Sequence, residues 1–285
     1  GPPVRQPLAF GERPGNFRHA WQYLAFGVHV GSYNGMLAYD EETQFRAIEY
    51  LRVQGHRQRE AIANGREYQP FLLCASFHHP HPPFHAPEEF WNLYKDADID
   101  LPEYPENLEE TYSTLDRWAN IMYSADEIDI RKPEDLRVVR RAYYALTSYI
   151  DHKLGQLLDT LRQYGLDRNT VVVFTSDHGE MLGEKGMIQK CNFYEHSARV
   201  PLVVSFPDGR GAGRVVREPV NLVDIAPTLC DIGAVDPEIQ QGEFDGTTLL
   251  PLIDGQSQPD RVTFSEMHTN CVYSTCFMVR QGSYK

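Results

Sequence analysis

A largely parallel β-sheet with helices on both faces is predicted for this chain of 285 residues. Short apolar runs rich in β-branched residues alternate with stretches of helical periodicity, the order that builds parallel strands through crossover helices. Two of those runs, Pro70–Phe77 and Val171–Thr175, end abruptly in polar clusters containing histidine. In open α/β sheets the carboxyl ends of strands are where ligands bind. The length suits one large domain, residues 1–285, and 41 % hydrophobic with 24 % charged residues is enough apolar mass for a sizeable core.

Residues 1–36 read as a loop-rich entry segment. Tyr39–Gln54 carries Phe45, Ile48 and Leu51 at helical spacing, and Gly55–Gln69 reads as a polar connection. Pro70–Phe77 is expected to be a buried strand running into His78-His79-Pro80-His81-Pro82-Pro83. Ala86–Tyr94 is a short helix begun by Pro87 and two acidic residues, as the helix dipole favours. Lys95–Pro133 is long and acidic, and is expected as a loop shaping a substrate entrance. Pro133–Tyr164 has the longest apolar stripe, from Leu136 and Val139 to Leu157 and Leu161, and Gly165 stops it. Strands follow at Val171–Thr175, Pro201–Phe206, Arg261–Ser265 and Cys276–Arg280, with a helix at Leu222–Ile232.

A net charge of −13 without a basic stripe argues against a nucleic-acid partner. No apolar run approaches the ~18 residues that span a bilayer, so no membrane partner is expected. Oligomeric state is open, a homo-oligomer included. The five cysteines are scattered, form no CxxC and sit partly in apolar runs, which predicts buried, reduced thiols. Cys271 and Cys276 could pair across a hairpin, but nothing demands it. The cysteine usage and the absence of an Asn-x-Ser/Thr sequon predict a cytoplasmic location.

Asp177 and His178 together offer one carboxylate and one imidazole, half the shell of a divalent cation. The alternative is that Asp177 caps a turn and His178 is a satisfied loop histidine. His78-x-x-His81 has metal-like spacing, yet Pro80, Pro82 and Pro83 forbid the helical face that such a pair needs. An extended, proline-locked segment would instead aim one imidazole firmly. His81 is singled out as that group, suited to protonating a departing oxygen, and His78, His79 and His85 are expected to be loop histidines near the surface.

HHPHPPFHAPEEFWNLY, RRAYYALTSYIDHKLGQLL, TVVVFTSDHGEMLGEKGMIQK, FYEHSARVPLVV and NLVDIAPTLCDIGA resemble, in order and spacing, consecutive blocks of the sulfatase family in the alkaline-phosphatase-like superfamily. The resemblance spans residues 37–285, and SDHGEMLGE with the closing CFMVRQGSYK is most similar to bacterial choline-sulfatase-like members. It implies the sandwich fold of that superfamily and hydrolysis of a small-molecule sulfate ester such as choline-O-sulfate. It implies that Asp177 and His178 ligate a cation, calcium in most relatives, with the imidazole also suiting manganese and magnesium as a further option. Lys190 matches the lysine that contacts sulfate oxygens, His81 the histidine that protonates the departing alkoxide, and Glu266 and His268 lie near where relatives contact the alcohol. A carboxylate at Glu266 could pair with a quaternary ammonium.

The resemblance also implies a formylglycine nucleophile, made from Cys or Ser in a Cys/Ser-x-Pro-x-Arg context. No cysteine here fits. Ser257-Gln258-Pro259-Asp260-Arg261 fits literally but lies far downstream of the family's position, and is rejected. The nucleophile and two further acidic ligands are therefore expected outside these residues, on a chain truncated at both ends and inactive alone. Two rivals remain open: a phosphonate monoester or phosphodiester hydrolase of the same superfamily, and a non-catalytic remnant.

Overall fold

The computed structural model describes residues 28–31, 35–123, 131–240, 242–268 and 275–285. In chain order these hold strand β1 (Val28–Val30), helix α1 (Gly35–Ala63), strand β2 (Phe84–Ala86), and helices α2 (Glu88–Leu93), α3 (Thr114–Tyr123) and α4 (Pro133–Tyr164). Strand β3 (Val172–Thr175), the single turn α5 (Glu195–Ala198), strand β4 (Leu202–Ser205) and helix α6 (Ile225–Ile232) follow. Strands β5 (Val262–Met267) and β6 (Cys276–Gln281) close the chain. No described helix is long and apolar enough to cross a membrane.

Helix α4 organises the core. Pro133 sits in its first turn with Glu134 and Asp135, and Gly165 ends it in the left-handed conformation at φ 71°, donating its N–H to Arg162 O. On one side Val139, Ala142, Ala145 and Leu146 pack against Phe84, Ala86 and Ile188. Further along, Leu157 and Leu161 meet Ala47 and Leu51 of α1, with Phe71, Leu73, Ala75 and Phe77 lying against the same cluster. Each large apolar side chain so buried contributes about 1.5–3 kcal/mol.

Several expectations shift. Helix α1 runs on to Ala63 because Gly55 is a contact residue and not a stop: a Cβ there would lie 2.6 Å from Tyr164 Cβ. Residues 70–77 are extended, with alternate side chains inward, but pair with no described strand, and Leu72 and Cys74 face outward. Pairing is a non-local property that an apolar run alone does not supply. Cys191, Cys230 and Cys276 are half-buried, so the thiols are not the buried set expected; Cys271 and its hairpin pairing lie outside the described residues. The long acidic segment contains α3, opened by a reciprocal cap in which Ser113 N donates to Asp116 Oδ2 at 2.8 Å and Asp116 N donates to Ser113 Oγ at 3.2 Å.

The described ladders are two-stranded. β1 and β2 pair in parallel, whereas β3–β4 and β5–β6 are antiparallel. β4 thus runs beside β3 in the opposite sense, and the chain leaving β3 at Thr175 enters the polar cluster.

Candidate active site

Beyond Thr175 the backbone turns on local hydrogen bonds. Ser176 Oγ donates to His178 O at 2.8 Å and Asp177 Oδ1 accepts from His178 N at 2.9 Å. Gly179 N then donates to Ser197 O at 2.7 Å, and a Cβ on Gly179 would fall 2.0 Å from His196 O, so only glycine fits this crossing. Residues 181–189 fold back on themselves, with Met181 N donating to Gln189 O and Gly183 N to Met187 O, both at 2.8 Å. Leu182, Lys185, Gln189 and Cys191 all have positive φ. The backbone on either side of Lys190 is therefore held in a region that non-glycine residues seldom adopt.

What holds it is buried. Glu180, below the surface, accepts from Gln189 N and, at 3.5 Å, from Leu182 N. Burial pushes its carboxyl up to about 7, against the lowering effect of those amides and of Lys190. Arg140 of α4, itself buried, also holds the loop, donating to Leu182 O at 3.0 Å and pairing with Glu184 and Asp100 at 2.5 Å each. Tyr104 and Tyr112 donate to Gly183 O and Lys185 O at 2.6 and 2.8 Å. The long acidic segment thus contributes two staples to this loop.

The fold brings four sequence-selected residues together. Lys190 Nζ donates to His81 Nε2 at 2.5 Å across 109 positions of sequence. The His81 and His178 ring centres are 6.0 Å apart, and His178 Nε2 lies 3.6 Å from Asp177 Oδ2. Burial, then the Lys190 charge, pulls the His81 imidazole down to about 4, so it is neutral in the free protein and accepts from the ammonium. Its Nδ1 lies 2.6 Å from Pro82 O and its N donates to His78 O at 3.2 Å, a turn in place of the extended segment expected.

His178 Nδ1 lies 2.8 Å from Gly179 O, which makes Nδ1 the donor and leaves the Nε2 lone pair beside the Asp177 carboxylate. That donor set fits two ligands of a divalent cation. Among the described residues, no group of three or more His, Cys, Asp or Glu is placed to hold a metal.

Glu266 and His268 are not drawn into this cluster. They pair with each other at 3.2 Å on the exposed end of β5, where the His268 ring packs edge-on to Phe277. The rejected Ser257 motif is structural: Ser257 Oγ donates to Glu218 at 3.1 Å, and Arg261 pairs with the buried Asp224 at 2.8 Å.

Three histidines expected near the surface, and one carboxylate without a reading, sit in the interior or at its edge. His78 is half-buried with its ring centre 4.9 Å from that of His81, and its Nε2 has no hydrogen-bond partner. Burial, first of all, depresses its affinity for a proton. His79 is buried against Asp40, so neither histidine is the surface group expected. His85 is half-buried, its ring centre 4.5 Å from that of His29. For Asp40 the only local signal was a polar residue on the inward face of a helix.

The fold is that of the alkaline-phosphatase-like superfamily. It superimposes on the phosphonate monoester hydrolase of Agrobacterium radiobacter with a TM-score of 0.64 and 26 % identity, covering 84 % of this chain and 50 % of that one. The Sulfatase family model matches residues 32–234. The chain belongs to the sulfatase family. It is 35 % identical to a choline-sulfatase of Rhizobium meliloti across 91 % of its own length and 49 % of that protein's. It is 34 % identical to an arylsulfatase of Clostridium perfringens across 65 % of its own length and 38 % of that protein's. The chain thus spans about half the length, or less, of these curated relatives.

Proposed function

We propose that the complete protein hydrolyses a sulfate monoester of the choline-O-sulfate kind to alcohol and sulfate. The observation that carries this reading is the meeting of Lys190 Nζ and His81 Nε2 at 2.5 Å beside His178. A fixed ammonium and a proton-carrying imidazole are the two groups that sulfate-ester cleavage needs on its oxygens. The similarity to a choline-sulfatase over most of this chain supports the choice of alcohol.

In the free protein Lys190 donates to a neutral His81. An ester sulfate arriving between them takes up the ammonium's donors and adds negative charge beside the ring. Both effects raise the imidazole's hold on a proton, so substrate binding itself loads the acid. His81 then gives that proton to the bridging oxygen as the alcohol departs, and Lys190 stays on the sulfate oxygens where charge accumulates. Asp177 and His178 would hold a divalent cation, calcium being the proposed ion, which would supply further stabilisation of charge on those oxygens. The formylglycine and the remaining ligands are proposed to lie outside these 285 residues.

The structural likeness to a phosphonate monoester hydrolase favours a second reading, in which a phosphorus ester takes the same place. Release of product from choline-O-sulfate, 4-nitrophenyl sulfate and a phenyl phosphonate monoester by the complete protein separates the two. The highest kcat/KM is expected on choline-O-sulfate. Preference for the phosphonate would overturn the assignment, and no turnover on any ester would favour a non-catalytic role.

A further inference from the structure

Immediately before His81 the chain is tied to a carboxylate that the chemistry above does not use. Asp40 of α1 and the His79 ring are both fully enclosed, with side chains 0 % exposed. Asp40 Oδ1 accepts from His78 N at 2.6 Å and Oδ2 from His79 N at 3.1 Å, and Oδ2 lies 2.6 Å from His79 Nδ1. An enclosed carboxylate is tolerated only when its oxygens are satisfied, and here three donors from two adjacent residues do so. All three come from 38 or 39 positions away in sequence. The contact therefore sets where this turn sits on α1, which no local turn signal could do. Among the described residues His79 Nε2 is buried without a partner, and the ring's polar attachment is to Asp40. From this anchor the turn closes through His81 N to His78 O, and the His81 ring is left with Nε2 toward Lys190.

We propose that Asp40, through His79 and the His78 and His79 amides, is the positioning residue that aims the His81 imidazole at the leaving oxygen. The proposal rests on the sulfate-ester reading above. Its consequence is specific. An alkoxide needs a proton to leave, whereas 4-nitrophenolate departs readily without one. Loosening His81 therefore harms alkyl sulfates more than aryl sulfates, whereas a residue that only supports the fold would lower both alike.

The test is Asp40→Asn in the complete protein, which keeps the shape and one acceptor oxygen but loses the charge and the second acceptor. Asp40→Glu keeps the charge and displaces it, and serves if the amide variant does not fold. The expected result is a loss of kcat on choline-O-sulfate at least tenfold greater than on 4-nitrophenyl sulfate. The His81 imidazole nitrogen signals, assigned through His81→Ala, should move toward those of a solvated histidine. Equal losses on both esters, or unchanged His81 signals, would overturn the proposal. If the wild-type protein turns over no sulfate ester yet the His81 signals shift, the sulfate-ester reading falls and the hold of Asp40 on His81 stands.

Discussion

The loop carrying Lys190 and the β5–β6 hairpin carrying Glu266 and His268 both present polar side chains, but they are held in opposite ways. Lys190 lies between two residues of positive φ, on a loop fixed by buried Glu180 and Arg140 and by the hydroxyls of Tyr104 and Tyr112. Its partner His81 comes from a turn fixed by buried Asp40. Glu266 and His268 are ordered by a six-residue ladder and by each other, both largely exposed. A charged group that must meet a partner 109 positions away is placed by enclosed carboxylates and tolerates strain. An exposed ion pair between near neighbours in sequence needs only a strand to stand on.

That contrast sets the order of expected effects. Lys190→Ala should lower kcat/KM on the preferred ester by about 10²–10³-fold, the cost of deleting one fixed stabiliser of transition-state charge; a loss under tenfold would detach Lys190 from the reaction. Arg261→Ala leaves the Asp224 carboxylate buried without its counter-ion, although Asn221 N and Thr247 N still donate to it at 2.7 and 2.9 Å. Chemical unfolding should show a loss of about 3 kcal/mol, while Ser257→Ala leaves turnover unchanged. Abolished turnover in Ser257→Ala would revive the motif rejected above.

Glu180 gives a smaller effect with a definite sign. Its folded-state pKa is raised to about 7 from 4.5, so the folded protein binds this proton more tightly than the unfolded chain. Stability from this group is full below pH 4.5 and is lost as pH rises through 7. Glu180→Gln copies the protonated form and keeps an acceptor for Gln189 N. Relative to wild type it should gain about 2 kcal/mol between pH 5 and pH 8; a difference independent of pH would contradict the burial. The smallest effect belongs to the hairpin. Glu266→Gln should raise KM for choline-O-sulfate about two- to fivefold with kcat unchanged, in keeping with an exposed ion pair. A fall in kcat would place Glu266 inside the cluster.

The same contrast governs what the sequence could reveal. Helix α4 is legible to the residue, because Pro133 and Gly165 are local start and stop signals that the structure obeys. Strand β3 and the Asp177-His178 edge were legible because an apolar run discharging polar side chains is itself a local pattern. Helix α3 was announced by Ser113-x-x-Asp116 and overlooked inside a segment dominated by acidic and proline residues. The extension of α1 hid behind Gly55, whose reason for being glycine is Tyr164, more than a hundred positions away. The burial of His79 and the role of Asp40 are hidden for the same cause: their partners are set by packing between elements, which periodicity and spacing do not encode. The likeness to sulfatase blocks reached Lys190 and His81, but the carboxylates that place them had to be seen in three dimensions.

The central claim is that Lys190 and His81 act as one unit on the ester, and a double-mutant cycle tests it most directly. Turnover of choline-O-sulfate by the complete protein is measured for His81→Ala, Lys190→Ala and the double variant. A working pair predicts that the double variant loses at least tenfold less than the product of the two single losses. Losses that multiply without coupling would contradict the account.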